Sequence, residues 1–472
     1  MRKSLTLAGI LLLTGCVSNR LPAPEITVPG QFEAQVEASQ SNAVSAQSIE
    51  QWWLLFDDAQ LSSLVDQALS DAPDARTALA RLREAQAIRR GALTPYDPQG
   101  NPGFSVSRSD TSVNGAPAGQ DQLLGAGTSV ALGGSFNVSW EADLFGRRSA
   151  ARGAAEADLA AARFVFEATR LSLAANVATQ LFAARGLAGQ IVEAQETLRI
   201  AQELARIGRL RVTSGLGSGS DAARLDTQLA NAQSDLVNLR SQFSIARRTL
   251  LVLLGRGTDG LDTLPIAAVL PMPPRPPALT PADVMMRRPD VREAEQRLRA
   301  AAGNLKLDQL ALFPRLTLQP GASFTRVLDP AAYATSVWTL AAGLFVPILD
   351  RPRLLSQIGA QTARGEQAVI AYEQAVQAAY GDAENSLTAL SADLDRLDYL
   401  ILAEQRAQFA FSAQQQGYKA GIVDLDTLLQ TEQAWRAARI ALVALKTSTL
   451  TNAVTSFKAL GGGWNPDPSS GS

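Results

Sequence analysis

The 472-residue sequence has no histidine and a single cysteine. Imidazole acid/base chemistry, Ser-His and Cys-His nucleophiles and most transition-metal sites are therefore excluded together. With only four methionines as well, a dedicated soft-metal conduit is disfavoured. Charge of one sign is also lacking: 43 Lys+Arg stand against 45 Asp+Glu, a formal charge of −2. Nothing in that balance grips a phosphate backbone, so nucleic acid is not an expected partner. Aromatics are sparse at 6%, while apolar residues reach 46% and charged residues 19%, the composition of a folded chain. A carboxylate-only enzyme is the one catalytic class that composition leaves open.

Long hydrophobic runs are missing too. The longest, residues 5–13, is too short to span a bilayer as a helix. It follows Arg2 and Lys3 and ends in Leu13-Thr14-Gly15-Cys16. That is a signal-peptide pattern over residues 1–15, closing on a sequence that resembles the bacterial lipoprotein box. Cys16 is then the acylated first residue of the mature protein, carrying covalent diacylglycerol and palmitate, with no cofactor expected. Val17 occupies the position where an Asp commonly retains such lipoproteins at the inner membrane, so the outer membrane is the expected address.

What is present is a duplication. Pro73-Asp74, Ala78 and Arg81-Leu82-Arg83 recur as Pro289-Asp290, Ala294 and Arg297-Leu298-Arg299. The offset, roughly 200 residues, is far too long for a solenoid repeat. Leu225, Leu229, Ala232, Leu236, Leu239, Phe243, Ala246, Leu250 and Leu253 alternate steps of four and three, and Leu387, Leu390, Leu394, Leu397 and Ile401 do the same. These are heptad seams for packing against neighbouring helices. Two proline-free stretches, about 147–214 and 353–420, predict helices of roughly 100 Å each. Others at about 61–94, 221–254, 281–312 and 424–460 are half as long, so two stacked short helices match one long one. Prolines crowd residues 264–281, and Thr280-Pro281-Ala282-Asp283 reads as a helix start.

Between the helices the period changes. Residues 103–109 and 129–144, then 315–326 and 335–349, carry Val, Phe, Trp, Leu and Thr around glycines, with a Gly/Pro-rich loop at 114–122. Segments of this length suit a tilted membrane barrel. A soluble sheet capping the helices is the alternative. Four strands in lipid would leave two rows of unpaired backbone groups, so several chains must close one barrel. Two chains give eight strands and three give 12, both in the range of known barrels. Twelve helices at about 10 Å spacing enclose a lumen of about 28 Å, twice what eight would, which favours a homotrimer.

Several motifs carry a family resemblance. They are Trp52-Trp53 with Phe56-Asp57-Asp58 and Leu61; Trp140-Glu141-Ala142-Asp143-Leu144-Phe145-Gly146-Arg147; Arg287-Arg288-Pro289-Asp290-Val291 with Ala294-Glu295; Phe313-Pro314; and Lys458-Ala459-Leu460-Gly461-Gly462-Gly463-Trp464. In this order they resemble the TolC-like outer membrane factors, specifically the lipid-anchored branch that serves RND-type drug pumps. The resemblance spans essentially the whole mature chain. It implies an α+β membrane protein: a homotrimeric 12-stranded outer-membrane β-barrel with four strands per chain, continuous with a 12-helix periplasmic α-barrel and a mixed equatorial belt. It also implies a passive, non-enzymatic conduit for efflux that works with a periplasmic adaptor (membrane fusion protein) and an inner-membrane pump of the RND type. On this reading residues 1–15 are the signal peptide, 16–58 the anchor and N-terminal equatorial segment, 59–95 a helix and 96–146 the first strand pair. Residues 147–254 form the first α-barrel hairpin, 255–280 the equatorial linker, 281–313 a helix, 314–350 the second strand pair, 351–460 the second hairpin and 461–472 the tail.

The periplasmic tips fall at residues 215–220 and 421–424, where Gly215, Gly217, Gly219 and Gly421 suit turns needing positive φ. Asp221 and Asp424 suit either helix capping or gating. In the family an Asp lies nine residues after the second turn glycine; here that position is Gln430, which leaves Asp424 and Asp426 as the nearest acidic substitutes for a ring at the aperture. Trp140, Trp338 and Phe345 read as interfacial barrel aromatics. Glu141 and Asp143, two apart in a predicted strand, share a face as the carboxylate pair of a cell-wall hydrolase would. No partner chemistry is nearby in sequence, and the preferred reading places them facing water at the lower barrel rim. A lipid-anchored coiled-coil scaffold or adaptor without a pore is the other competing reading.

Overall fold

The structure, a computed structural model, describes residues 21–34, 48–112, 127–329 and 332–465. Cys16, the leader, the loop 114–122 and residues 466–472 lie outside the described residues.

Proline sets the first boundaries. The helix expected over 61–94 is two helices, α1 (Ala59–Asp71) and α2 (Pro73–Gly91). The residue before a proline is pushed out of the α region, and Ala72 sits at φ −59, ψ 140. The second half breaks identically. Arg288, at φ −67 and ψ 120, separates α5 (Pro281–Arg287) from α6 (Pro289–Leu310), in place of one helix over 281–312. The repeated Pro-Asp is thus a repeated helix break. Thr280 opens α5 with a full capping box: its hydroxyl accepts from Asp283 N at 3.2 Å while Asp283 accepts from Thr280 N at 3.0 Å.

The long helices are α3 (Arg147–Thr213, 67 residues) and α7 (Arg351–Lys419, 69 residues), each followed by a 35-residue partner, α4 (Gly219–Leu253) and α8 (Leu425–Ala459). Along the α4 seam, Leu225, Ala232, Leu236, Ala246 and Leu250 are buried. On α7, Leu387, Leu390 and Leu397 are buried.

Four antiparallel strands form one sheet in the order β1-β2-β3-β4: β1 (Gln99–Thr111), β2 (Gly127–Ala142), β3 (Arg315–Asp329) and β4 (Tyr333–Phe345). Strands β1 and β3 run longer than the sequence pattern, while β2 and β4 stop short of 144 and 349. Each half of the duplication supplies one hairpin, and β2–β3 pairing joins the halves. That ladder passes from Asn137↔Gly321 to Trp140↔Leu318 with no pair at Pro320, whose nitrogen has no hydrogen to donate.

The chain divides into two compact units. One, residues 1–24, 83–161 and 294–372, holds the sheet. In it Gly303 of α6 lies so close to α3 that a Cβ there would sit 3.0 Å from the Ala154 Cβ. The other unit comprises 25–82, 162–293 and 373–472. Its largest core gathers a 3-10 segment (Ser48–Phe56) onto α3 and α8: Trp52 stacks on Phe457 at 6.0 Å, and Phe56 meets Phe182 at 5.2 Å. Three irregular segments meet in this unit. Phe32 stacks on Tyr380; Arg248 of α4 donates to the linker carbonyls of Gly257 (2.7 Å) and Asp259 (2.6 Å); and Trp464 donates to Arg287 O at 3.0 Å.

Candidate functional site

Directly paired residues in an antiparallel sheet share a face, so the register sorts the strand positions by parity up to the shift between Val130 and Ala131, where Val130 pairs with Asp329. Even-numbered positions are mostly apolar, among them Phe104 and Val106 on β1, Leu132, Phe136 and Trp140 on β2, Leu318 and Phe324 on β3, and Trp338, Leu340 and Leu344 on β4, with Arg108, Asp110 and Arg326 the charged members. Odd-numbered positions are mostly hydroxyls and amides, among them Asn101, Ser105 and Ser107, then Ser135, Asn137 and Ser139, then Thr317, Gln319, Ser323 and Thr325, then Thr335 and Thr339, with Val327, Val337 and Phe345 as apolar exceptions. The apolar face is uncovered, with Phe104 at 89% exposure, Trp338 at 84% and Leu340 at 81%. A soluble capping sheet buries its apolar face against the helices; this sheet presents it outward. Among the described residues neither β1 nor β4 has a partner on its outer edge.

The aromatic candidates separate by face. Trp140 and Trp338 lie on the apolar side, Trp140 donating to Tyr96 O at 3.3 Å. Phe345 lies on the hydroxyl side, with the Arg315 guanidinium 4.9 Å above its ring. Glu141 and Asp143 do not share a strand face as the spacing suggested, because β2 ends at Ala142. Glu141 pairs with Arg147 at 3.3 Å. Asp143 accepts the backbone N–H groups of Arg147 (2.8 Å) and Arg148 (3.1 Å), holding the start of α3. Each carboxylate is engaged separately, and no acid/base pair results.

At the α3–α4 and α7–α8 turns, Gly215 (φ 68) and Gly421 (φ 76) close their helices in the left-handed conformation. Gly215 N reaches Val212 O at 3.0 Å and Leu216 N reaches Arg211 O at 2.8 Å; in the second turn, Gly421 N reaches Tyr418 O at 3.1 Å and Ile422 N reaches Gly417 O at 2.9 Å. Gly217 and Gly219 have no positive φ. Ser218, not Asp221, caps α4, accepting from Ser220 N at 3.1 Å. Asp221 sits in the first turn, where the helix dipole favours an anion.

Asp424 does cap α8. It accepts from Thr427 N at 2.7 Å and from the Thr427 hydroxyl at 3.1 Å, and these bonds hold its carboxyl below the usual range. Asp426 reaches across to Arg224 of α4 at 2.6 Å, tying one hairpin to the other. Gln430 lines the adjoining cleft of about 330 Å³ with Arg224, Thr227, Gln228, Asp426, Leu429 and Gln433. Arg224 is the member that sequence reading missed, because its role depends on a partner 202 positions away and leaves no local signal. Leu216 and Ile422 project from the turns at 74% and 83% exposure. Beneath them lies a core of Leu204, Leu225, Phe411, Leu428 and Trp435, over which Arg439 stacks on Trp435 and pairs with Glu193.

Among the described residues no group of three or more His, Cys, Asp or Glu side chains is placed to hold a metal ion, and no helix is long and apolar enough to cross a membrane. The membrane-compatible surface is the sheet.

Residues 64–256 and 281–462, one stretch in each half, match the sequence profile of the outer membrane efflux protein family. The pyoverdine export outer membrane protein OpmQ of Pseudomonas aeruginosa is 29% identical over 469 residues, covering 99% of this chain and 98% of that protein. The probable outer membrane lipoprotein SilC of Salmonella typhimurium is 26% identical over 484 residues, covering 98% and 99%. The solved outer-membrane channel OprN superposes with a TM-score of 0.83 over 94% of this chain and 98% of its own, at 24% identity. Matched in both duplicated halves and carrying a sheet with one lipid-compatible and one water-compatible face, the chain belongs to the outer membrane efflux protein family and is an outer-membrane efflux channel.

Proposed function

We propose that three copies pool their strands into a 12-stranded barrel and their helices into a 12-helix tunnel, forming a passive conduit without catalysis in a tripartite export system. An RND-type inner-membrane pump supplies the energy, and a periplasmic adaptor docks on the helical hairpins. The observation that carries this reading is the sheet: two open edges in lipid cost several kcal/mol per unpaired group, and closing with neighbouring copies removes them. The odd-numbered face then lines the lumen with hydroxyls and amides, and the even-numbered face meets lipid. The cargo is small and hydrogen-bonding, in keeping with that lining and with a relative named for pyoverdine export. Cys16 carries diacylglycerol and palmitate, a reading supported by the Leu13–Cys16 sequence and by a relative named as a probable lipoprotein.

The gate lies at the turns. Asp426 with Arg224 latches the second hairpin to the first, Asp424 and Gln430 flank the latch, and Gly215, Asp221 and Gly421 shape the turns that must move. Reconstitution in planar bilayers tests the whole reading. Trimers with discrete, ohmic conductance are expected, and Cys16→Ser is expected to leave the membrane fraction less tightly anchored while keeping the pore. A detergent-extracted lone protomer that never conducts would overturn the proposal.

A further inference from the structure

Ionisable side chains are almost absent from the apolar face of the sheet, and where they occur is informative. From the end of β1 that adjoins the helices, the even-numbered positions run Pro102, Phe104, Val106, Arg108 and Asp110. On β3 they run Leu316, Leu318, Pro320, Ala322, Phe324 and Arg326, after which the register with β2 shifts and Leu328 follows. Both arginines therefore enter on the lipid-facing side, at the same hairpin-loop end, where the apolar band thins to Val130 and Leu328. The register sets their separation. Arg108 pairs with Val130 and Arg326 with Leu132, one repeat along β2. Two strand spacings and one two-residue step put their Cα atoms about 12 Å apart. Across β4, Arg326 faces Ala334, whose small side chain leaves the guanidinium uncrowded. Among the described residues neither arginine has an ion-pair partner. A charged side chain on a lipid face is most costly at the bilayer midplane and nearly neutral at its rim, so these positions suit a ligand in the headgroup layer.

We propose that Arg108 and Arg326 form a docking site for the phosphate groups of a phosphorylated glycolipid in the outer leaflet. This rests on the reading above that the sheet closes into a barrel with its apolar face to lipid. Each guanidinium offers a planar fork matched to two phosphate oxygens, which an ammonium cannot copy. Two forks about 12 Å apart, on side chains that each extend several ångströms, can hold both phosphates of one bisphosphorylated lipid A headgroup. Asp110 follows on the same face, so recognition rests on the placing of the two forks more than on bulk positive charge. The ligand would seat the barrel at a fixed depth in the membrane.

The test uses the full-length trimer in detergent micelles carrying bisphosphorylated lipid A, the same lipid after removal of both phosphates, or inorganic phosphate alone. The wild-type protein is expected to bind the bisphosphorylated form at least about tenfold more tightly than the dephosphorylated one, the effect of two charge-assisted contacts, and to ignore free phosphate. The double variant Arg108→Gln/Arg326→Gln is expected to bind both lipids alike, and Arg108→Lys/Arg326→Lys to keep part of the preference. Equal binding of the two lipids by the wild type, or an undiminished preference in the glutamine variant, overturns the proposal. Conductance of the same preparations reads the pore separately: a conducting glutamine variant without lipid preference supports the site, whereas non-conducting wild-type protein strikes at the channel reading itself.

Discussion

Asp58→Ala should be among the most damaging single changes in the chain, and its cost can be worked from the structure. The Asp58 carboxylate has two tasks. One oxygen accepts from Leu61 N at 3.0 Å, capping α1, and both oxygens receive the Arg185 guanidinium, which also donates to Gln60 Oε1 at 2.9 Å. The side chains of Arg185 and Asp58 are 6% and 10% exposed. Removing one member of a buried pair strands the other charge, at about 3–5 kcal/mol. Loss of the cap adds about 1 kcal/mol. Asp58→Asn separates these contributions, since the amide oxygen still caps while the charge is gone. Asp58→Asn with Arg185→Met should recover most of the stability, because no unpaired charge is then left behind. The assay is the midpoint of helix loss by circular dichroism in detergent. It gains a second axis from pH. Burial raises the Asp58 carboxyl, but the Arg185 hydrogen bond and charge and the Leu61 N–H lower it further, so the net shift is downward. A depressed folded value gives stability that is full above the unfolded pKa of about 3.9 and is lost as pH falls through the folded value. The wild type should therefore lose its advantage over Asp58→Asn below about pH 4. An alanine variant within about 1 kcal/mol of wild type at neutral pH would refute the reasoning, showing that the pair only offsets its own desolvation.

Three further outcomes follow from other parts of the molecule. Gly421→Ala places a Cβ at φ 76 and should cost about 1–2 kcal/mol locally, read as faster amide exchange in the last turn of α7. Arg224→Ala, or Asp424→Ala with Asp426→Ala, should raise bilayer conductance. Because the Arg224–Asp426 pair is 54% and 66% exposed, its loss should move the melting midpoint little; unchanged conductance and cation selectivity would remove these residues from the gate. Ser135→Asp with Ser323→Asp, cross-strand partners on the odd-numbered face, should shift the reversal potential toward cations in a salt gradient, whereas a null shift would place that face away from the lumen.

The helices were legible because their seams repeat over many turns: Leu225 to Leu250 needed only sequence spacing to be placed on one buried stripe. The breaks at Ala72 and Arg288 were hidden by the very feature that exposed the duplication. Pro73-Asp74 and Pro289-Asp290 stood out as repeated motifs, and their steric effect on the preceding residue divides stretches that otherwise read as continuous helix. Strand existence was visible, but facial alternation was not, because Gly100, Gly134 and Ala322 occupy apolar-face positions without an apolar signal of their own. At the turns, glycine marked Gly215 and Gly421 correctly, yet Ser218 displaced Asp221 as the cap. Both are good capping residues, and which one wins is decided by where the turn ends.

The two turns show what the duplication has kept and what it has let diverge. Both keep the left-handed glycine and the hydrogen bonds around it, which the geometry of a reversed helix demands. They differ in charge. The first turn caps with the neutral Ser218; the second caps with Asp424 and places Asp426 two residues on, in the first turn of α8. The basic partner of Asp426 comes from the other half, Arg224 on α4, so the contact cannot form within either hairpin alone. In a ring where the two hairpin types alternate, such a pair links unlike neighbours and recurs once per protomer. Since it is solvent-exposed and worth at most about 1 kcal/mol, three of them hold the turns only lightly. On the proposed gate, a modest contact free energy from a docking partner would suffice to exchange these pairs for new ones.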